Sequence, residues 1–277
     1  MPSKPRALVI TGYGLNCEEE TALAFKLAGA ASEIVHVNDL IDGRKKFKKY
    51  QILAIPGGFS YGDDTGSGNA FANKILNNLG DDLISFAKAD KLVIGICNGF
   101  QILTNLGLVP ACPASAAAVD EKYGERQAAL MHNKSTRYEA RWIWLKNHST
   151  KSPWTKDINL IHLPVAHGEG NFYVTDDILT KMKIADQIAA QYVHEDGSPA
   201  NGEFPVNPNG ALDDIAAITD PSGRILGIMP HPERFLYFTN EDGWELKKEH
   251  LIRSGQPLPK FGAGLKIFQN AVSYFTK

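Results

Sequence analysis

The segment Gly95-Ile96-Cys97-Asn98-Gly99 places a cysteine between two glycines. An apolar run, Leu92-Val93-Ile94, precedes it, and a helical-looking stretch over 100–106 follows. A small–x–nucleophile–x–small pattern between a strand and a helix is a nucleophile elbow, here with cysteine in place of serine. The glycines answer a steric demand: the turn is tight, the backbone at the nucleophile is strained, and flanking side chains would obstruct it. A helix N-terminus also favours a thiolate through its dipole and free N–H groups. The chemistry this suits is nucleophilic attack on an acyl carbon, which further requires a base, an orienting group and N–H donors for an oxyanion.

Eight histidines are available for the base, and two stand out. His231 lies in Pro230-His231-Pro232-Glu233-Arg234, directly after an apolar run over 225–229. A strand exit is where α/β sheets build their sites, Pro232 stiffens the turn, and Glu233 is placed to orient the imidazole. His167, in Pro164-Val165-Ala166-His167-Gly168-Glu169-Gly170, is the weaker candidate. One oxyanion donor is the backbone N–H of Asn98. A second fits the bare backbone of Pro56-Gly57-Gly58-Phe59-Ser60-Tyr61-Gly62-Asp63. That turn lacks GxxxxGK[ST] and is no P-loop, and no metal-ligand spacing such as HExxH or CxxC occurs. Cys17, in Asn16-Cys17-Glu18, is expected to open the first helix and pack there.

The elements that must hold these residues are legible in the first half. Short apolar runs at 7–10, 34–37, 52–55 and 92–96 read as strands. Helical spacing at 18–27, with Ala22, Leu23, Phe25 and Ala28 inward, and at 70–79 and 83–88, lies between them. Continuous rather than alternating apolar runs imply strands buried on both faces, hence a mostly parallel α/β sheet flanked by helices. The second half predicts strands at 137–145, 158–165 and 171–174 and a helix at 178–184. It adds a hairpin from 215–219 to 225–229 around Asp220-Pro221-Ser222-Gly223, and a closing amphipathic helix over 260–274. Residues 111–129 read as a surface insertion and 202–211 as a loop. All 277 residues read as one domain.

A formal net charge of −2 argues against nucleic acid or an anionic membrane as the main partner. The basic run over 44–49 reads as a solvated surface. No apolar run approaches the roughly 18 residues of a membrane span. Three widely spaced cysteines and the absence of an apolar signal core after Met1 give the cytoplasm as the expected location.

Together these motifs resemble those of class I glutamine amidotransferases. More narrowly they resemble the glutaminase component of phosphoribosylformylglycinamidine synthase, an assembly of purine biosynthesis. The matching segments are Gly57-Gly58-Phe59-Ser60-Tyr61-Gly62-Asp63, Gly95-Ile96-Cys97-Asn98-Gly99-Phe100-Gln101-Ile102-Leu103, Pro164-Val165-Ala166-His167-Gly168-Glu169-Gly170-Asn171-Phe172 and Met229-Pro230-His231-Pro232-Glu233-Arg234. The resemblance implies a flavodoxin-like sheet with an antiparallel extension. It implies a Cys97–His231–Glu233 triad, an oxyanion hole from Gly58 and Asn98, and glutamine binding by Gln101, His167, Gly168 and Glu169. It implies a synthetase partner that uses ATP and Mg²⁺, with no cofactor in this chain, and leaves open a small accessory subunit. Free-standing glutaminases of this kind usually carry an arginine soon after Gly-Asp. Here Asp63-Asp64-Thr65-Gly66-Ser67-Gly68 is more like the glutaminase domain fused to large single-chain synthases, and 111–130 and 240–260 are longer than in compact forms. Two rivals remain at this stage: a Cys–His hydrolase acting without a partner, and a non-catalytic binding subunit.

Overall fold

The computed structural model describes residues 4–64, 66–113 and 123–276. Its first half winds strand and helix in alternation: β1 (Arg6–Thr11), α1 (Glu18–Leu27), β2 (Ala31–His36), α2 (Val37–Ile41), β3 (Ile52–Ile55), α3 (Asn69–Lys88), β4 (Leu92–Ile96) and α4 (Asn98–Asn105). The runs in β3 and β4 are buried at every position, as strands covered on both faces must be. The second half contributes β5 (Ala129–Met131), β6 (Glu139–Asn147), β7 (Leu160–His167), β8 (Asn171–Tyr173), α5 (Asp176–Ile184), β9 (Ile188–Val193), β10 (Ile215–Thr219), β11 (Ile225–Ile228), α6 (Trp244–Arg253) and α7 (Leu265–Tyr274).

One nine-stranded sheet runs in the order β2-β1-β3-β4-β11-β10-β9-β6-β7. The first five strands of that order are parallel, and the last four join antiparallel. This is the expected parallel core with an antiparallel extension. The order β2-β1-β3-β4 reverses direction between β1 and β3, and such a switch point opens a crevice at the carboxyl ends of the strands. The hairpin of β10 and β11 is present. Asp220 carries its turn by accepting from the N–H groups of Ile225 at 2.8 Å and Ser222 at 3.1 Å.

Several expectations change. The helices expected at 70–79 and 83–88 are one helix, α3: its buried Leu79, Leu83 and Phe86 keep a single face in register across Gly80-Asp81-Asp82. On α1 the inward face is Thr21, Ala22, Ala24 and Phe25, while Leu23 is exposed. Thr21 is tolerated there because its hydroxyl donates to the Cys17 carbonyl at 2.6 Å. The strand expected at 171–174 does occur, as β8, but it pairs with β5 in a separate two-stranded sheet. Much of the stretch expected as an insertion lies outside the described residues. Its start is no surface: Ala111 and Cys112 are fully buried, and the Gln127 amide clamps Cys112 by bonds of 2.7 and 2.9 Å. β9 and α6 were not foreseen.

The elbow depends on a very close approach of two elements. An ideal Cβ on Gly99 would stand 1.8 Å from the Ile55 carbonyl oxygen, and one on Gly95 would stand 2.4 Å from the Gly99 oxygen. Helix α4 therefore begins almost in contact with the end of β3, and only glycine fits. Gly227, level with Gly95 on β11, is bare for the same packing, since a Cβ would stand 2.2 Å from the Phe100 ring. Gly99→Ala is predicted to destabilise the fold by more than about 4 kcal/mol, read as loss of soluble protein or a large fall in melting temperature. A wild-type melt for that variant would contradict this packing.

Candidate active site

Four strand ends converge at one edge of the parallel sheet. β1 leads to Cys17, β3 to Gly57 and Gly58, β4 to Cys97, and β11 to His231. Cys97 has φ 51° and ψ −108°, a left-handed conformation that costs a non-glycine residue about 1–3 kcal/mol. Backbone bonds hold it there: its N–H donates to Ile228 at 2.8 Å, and its carbonyl accepts from Phe100 at 2.9 Å and Gln101 at 3.1 Å. The turn leaves Cys97 5 % exposed, with the Ala166 carbonyl 3.8 Å from its sulfur.

His231 and Glu233 form the buried pair expected of a base and its orienter. Nδ1 lies 2.6 Å from Glu233 Oε1, and the backbone N–H of His231 donates to the Pro164 carbonyl on β7 at 2.8 Å. Burial opposes charge on the imidazole, but Glu233, Cys97 and Cys17 outweigh it and raise its proton affinity well above the usual histidine range. Nε2 makes no hydrogen bond among the described residues. The imidazole is thus anchored through one nitrogen and open through the other, and Cys97 is close enough to act on its charge.

The two elements that carry the expected oxyanion donors are joined to one another. The Asn98 N–H belongs to the first turn of α4, which has no intrahelical acceptor. Gly58 has φ +152°, and a Cβ there would stand 2.5 Å from the Gly14 oxygen, so its bare backbone is obligatory. The Asn98 side chain joins the two elements, accepting from the Ser60 N–H at 3.2 Å and donating to Gln101 at 2.7 Å and Asp63 at 3.4 Å. The sequence points only to the backbone of Asn98; this side-chain clamp links residues too far apart in the chain for a local pattern to show it.

Beside the elbow lies a cavity of about 430 Å³, whose lining includes Phe59, Asp63, Arg137, Tyr138, Gly168 and Glu169. Gly168 has open space where a Cβ would stand. Glu169 accepts from the Ser67 N–H at 3.3 Å and lies 3.5 Å from His132. Its carbonyl accepts from Gln101 at 2.5 Å, so Gln101 ties α4 to this loop. Burial, with the charge of Glu169 adding, pushes the Asp63 carboxyl up to about 6, against hydrogen bonds from Ser67 and Asn98. His167 sits differently from the rest. It is buried, with Nδ1 3.1 Å from Asn133 and Nε2 3.5 Å from Asn209, and burial lowers its pKa to about 4, so it is neutral. A second cavity, of about 610 Å³, is lined by Lys45, Lys46 and Lys48 of the basic run among others and shares no lining residue with the first.

Known proteins match this chain along its length. The family model described as a CobB/CobQ-like glutamine amidotransferase domain matches residues 4–275. A protein of Methanococcus maripaludis, named "Phosphoribosylformylglycinamidine synthase subunit PurQ", is 54% identical over 274 residues, covering 99% of this chain and 98% of its own. One of the same name from Treponema denticola is 44% identical over 256 residues, covering 88% and 93%. Among solved structures, one described as "Structure of PurLQS from Thermotoga maritima" superposes with a TM-score of 0.70 at 26% identity, covering 98% of this chain and 99% of that one. The chain belongs to the CobB/CobQ-like glutamine amidotransferase family.

Proposed function

We propose that this chain is the glutaminase subunit of phosphoribosylformylglycinamidine synthase. It hydrolyses L-glutamine to glutamate and ammonia for a synthetase subunit that makes the amidine of formylglycinamide ribonucleotide. The observation that carries the reading is the buried His231–Glu233 pair facing a strained cysteine elbow, in a chain 54% identical to a relative of that name.

Cys97 attacks the side-chain amide carbon of glutamine as a thiolate, while His231 holds the proton. The oxygen of the tetrahedral intermediate points at the N–H groups of Gly58 and Asn98. Collapse breaks the C–N bond, His231 delivers its proton to the departing nitrogen, and ammonia leaves a glutamyl thioester on Cys97. Water, deprotonated by the now neutral His231, attacks the thioester and releases glutamate, restoring the thiolate and the imidazolium. Glu233 orients the ring through Nδ1 and stabilises its charge throughout.

The α-amino acid head is recognised in the 430 Å³ cavity, where Asp63 and Glu169 meet the ammonium and Arg137 the carboxylate. Gln101 and Gly168 shape and open that pocket. His167, caged by asparagines, supports its wall rather than touching glutamine. No cofactor is required here; ATP and Mg²⁺ serve the synthetase partner, and a small accessory subunit completes the assembly. Location in the cytoplasm is in keeping with three free cysteines and with the absence, among the described residues, of a helix able to cross a membrane.

Ammonia release from glutamine is expected from the wild type, to rise with the synthetase and its ligands, and to vanish in Cys97→Ala; equal release from both proteins ends the assignment. Glu233→Gln is expected to lower kcat by roughly 10²- to 10⁴-fold. Because Glu233 raises the proton affinity of His231, the alkaline limb of the remaining activity should move to lower pH. An unmoved limb contradicts the orienting role. Asp63 gains its proton as pH falls through about 6, so KM for glutamine should rise below that pH. Asp63→Asn should show a higher KM at pH 8 and little pH dependence; a wild-type KM profile in that variant removes Asp63 from the pocket.

A further inference from the structure

Cys17 is the N-cap residue of α1 and is wholly buried, yet its side chain caps nothing in its own helix. The sulfur points to the base instead. It accepts from Arg234 Nη2 at 3.1 Å, and it lies within 4.8 Å of both a ring nitrogen of His231 and a carboxylate oxygen of Glu233. The imidazole and the sulfur sit over Gly57. A Cβ on that glycine would stand 2.8 Å from His231 Cε1 and 3.2 Å from Cys17 Sγ. The Gly57 carbonyl also accepts from the Cys17 N–H at 3.2 Å, locking α1 to the floor of the site. The imidazole is thus bounded by Glu233 at Nδ1 and by Gly57 and Cys17 beside the ring, while Nε2 has no hydrogen-bond partner that meets full geometry among the described residues.

The structure assigns Cys17 as a positioning residue for the base: its sulfur, held by Arg234, fixes the His231 ring over Gly57 and keeps the imidazolium aligned with the leaving nitrogen. The assignment rests on the glutaminase reading above. The same proximity of sulfur, imidazole and carboxylate would suit a cation, but the guanidinium charge of Arg234 on the sulfur opposes one there. The groups that face His231 are Glu233 and Arg234 from its own turn, Cys97 from the elbow, Cys17 from α1, His167 from the end of β7 and Tyr138 from just before β6. Glu233, Cys97 and Cys17 favour its proton, and His167 opposes it when charged.

The test uses the full chain assembled with its synthetase, comparing Cys17→Ala, Cys17→Val and Cys17→Ser with wild type and Cys97→Ala. Loss of the sulfur should lower kcat by roughly ten- to a hundredfold, the scale of a misplaced catalytic group. KM for glutamine should stay within about twofold, since Cys17 does not line the pocket. The alkaline limb of kcat should move to lower pH in both Ala and Val variants, and Ser, which keeps a hydrogen-bond acceptor, should recover most of both changes. Valine fills the volume of the thiol, so a residue that merely packs would give Cys17→Val a wild-type limb and rate. That result overturns the assignment, as does a fall in rate with an unmoved limb in every variant that folds. Activity persisting in Cys97→Ala would instead overturn the glutaminase reading.

Discussion

The contact on which the site depends is the approach of Gly99 to the carbonyl of Ile55. No side chain fits between them, because even a methyl group would stand 1.8 Å from that oxygen. This brings the start of α4 down onto the end of β3 and forces Cys97, between β4 and α4, into its left-handed conformation. Strain of about 1–3 kcal/mol is stored there. It is offset by a ladder of parallel strands buried on both faces and by three backbone bonds at Cys97 itself. The same contact sets Asn98, whose side chain accepts from the Ser60 N–H, beside the turn that carries Gly58, so the proposed nucleophile and oxyanion donors come from one packing constraint.

The base arrives from the other side of the sheet order. β11 lies beside β4 in register, with Gly227 level with Gly95, and the chain leaving β11 turns at once through Pro232. His231 is therefore delivered beside Cys97, close enough for the two to interact, and Glu233 is folded back onto it by a single short turn. Burial alone would strip the imidazole of its proton. Glu233 and the two neighbouring sulfurs reverse that outcome, which suits the proposed role of giving a proton to the leaving nitrogen. His167, equally buried but surrounded by neutral asparagines, follows burial and stays uncharged. Two histidines in one region are thus separated in charge by their partners rather than by their exposure.

Much of this was legible in the residues. Strands such as Ile52–Ile55 announce themselves because a core strand is apolar at every position, and Gly-x-Cys-x-Gly announces an elbow because only glycine survives the approach. What escaped did so for physical reasons. α6 buries no residue, so it has no apolar stripe to detect. β9 alternates poorly, since Ala189, Ala190 and Tyr192 are inside and only Ile188 and Gln191 are partly exposed. Gly80-Asp81-Asp82 looked like a break because local propensity is weak there, whereas the face formed by Leu79, Leu83 and Phe86 carries the helix through. The side-chain role of Asn98 and the approach of Cys17 to His231 join residues 38 and more than 200 positions apart, and no local pattern encodes such contacts.

The central claim is that one of three buried cysteines is set apart by backbone geometry as the attacking group. Neither of the others sits in an elbow: Cys17 rests against the base and Arg234, and burial pushes the Cys112 thiol up to about 11. The most direct measurement is mass mapping after exposure to an electrophilic analogue of glutamine. The account predicts one equivalent of label, on Cys97, blocked by glutamine and lost in His231→Ala at neutral pH. Label on Cys17 or Cys112 with Cys97 unmodified would contradict it.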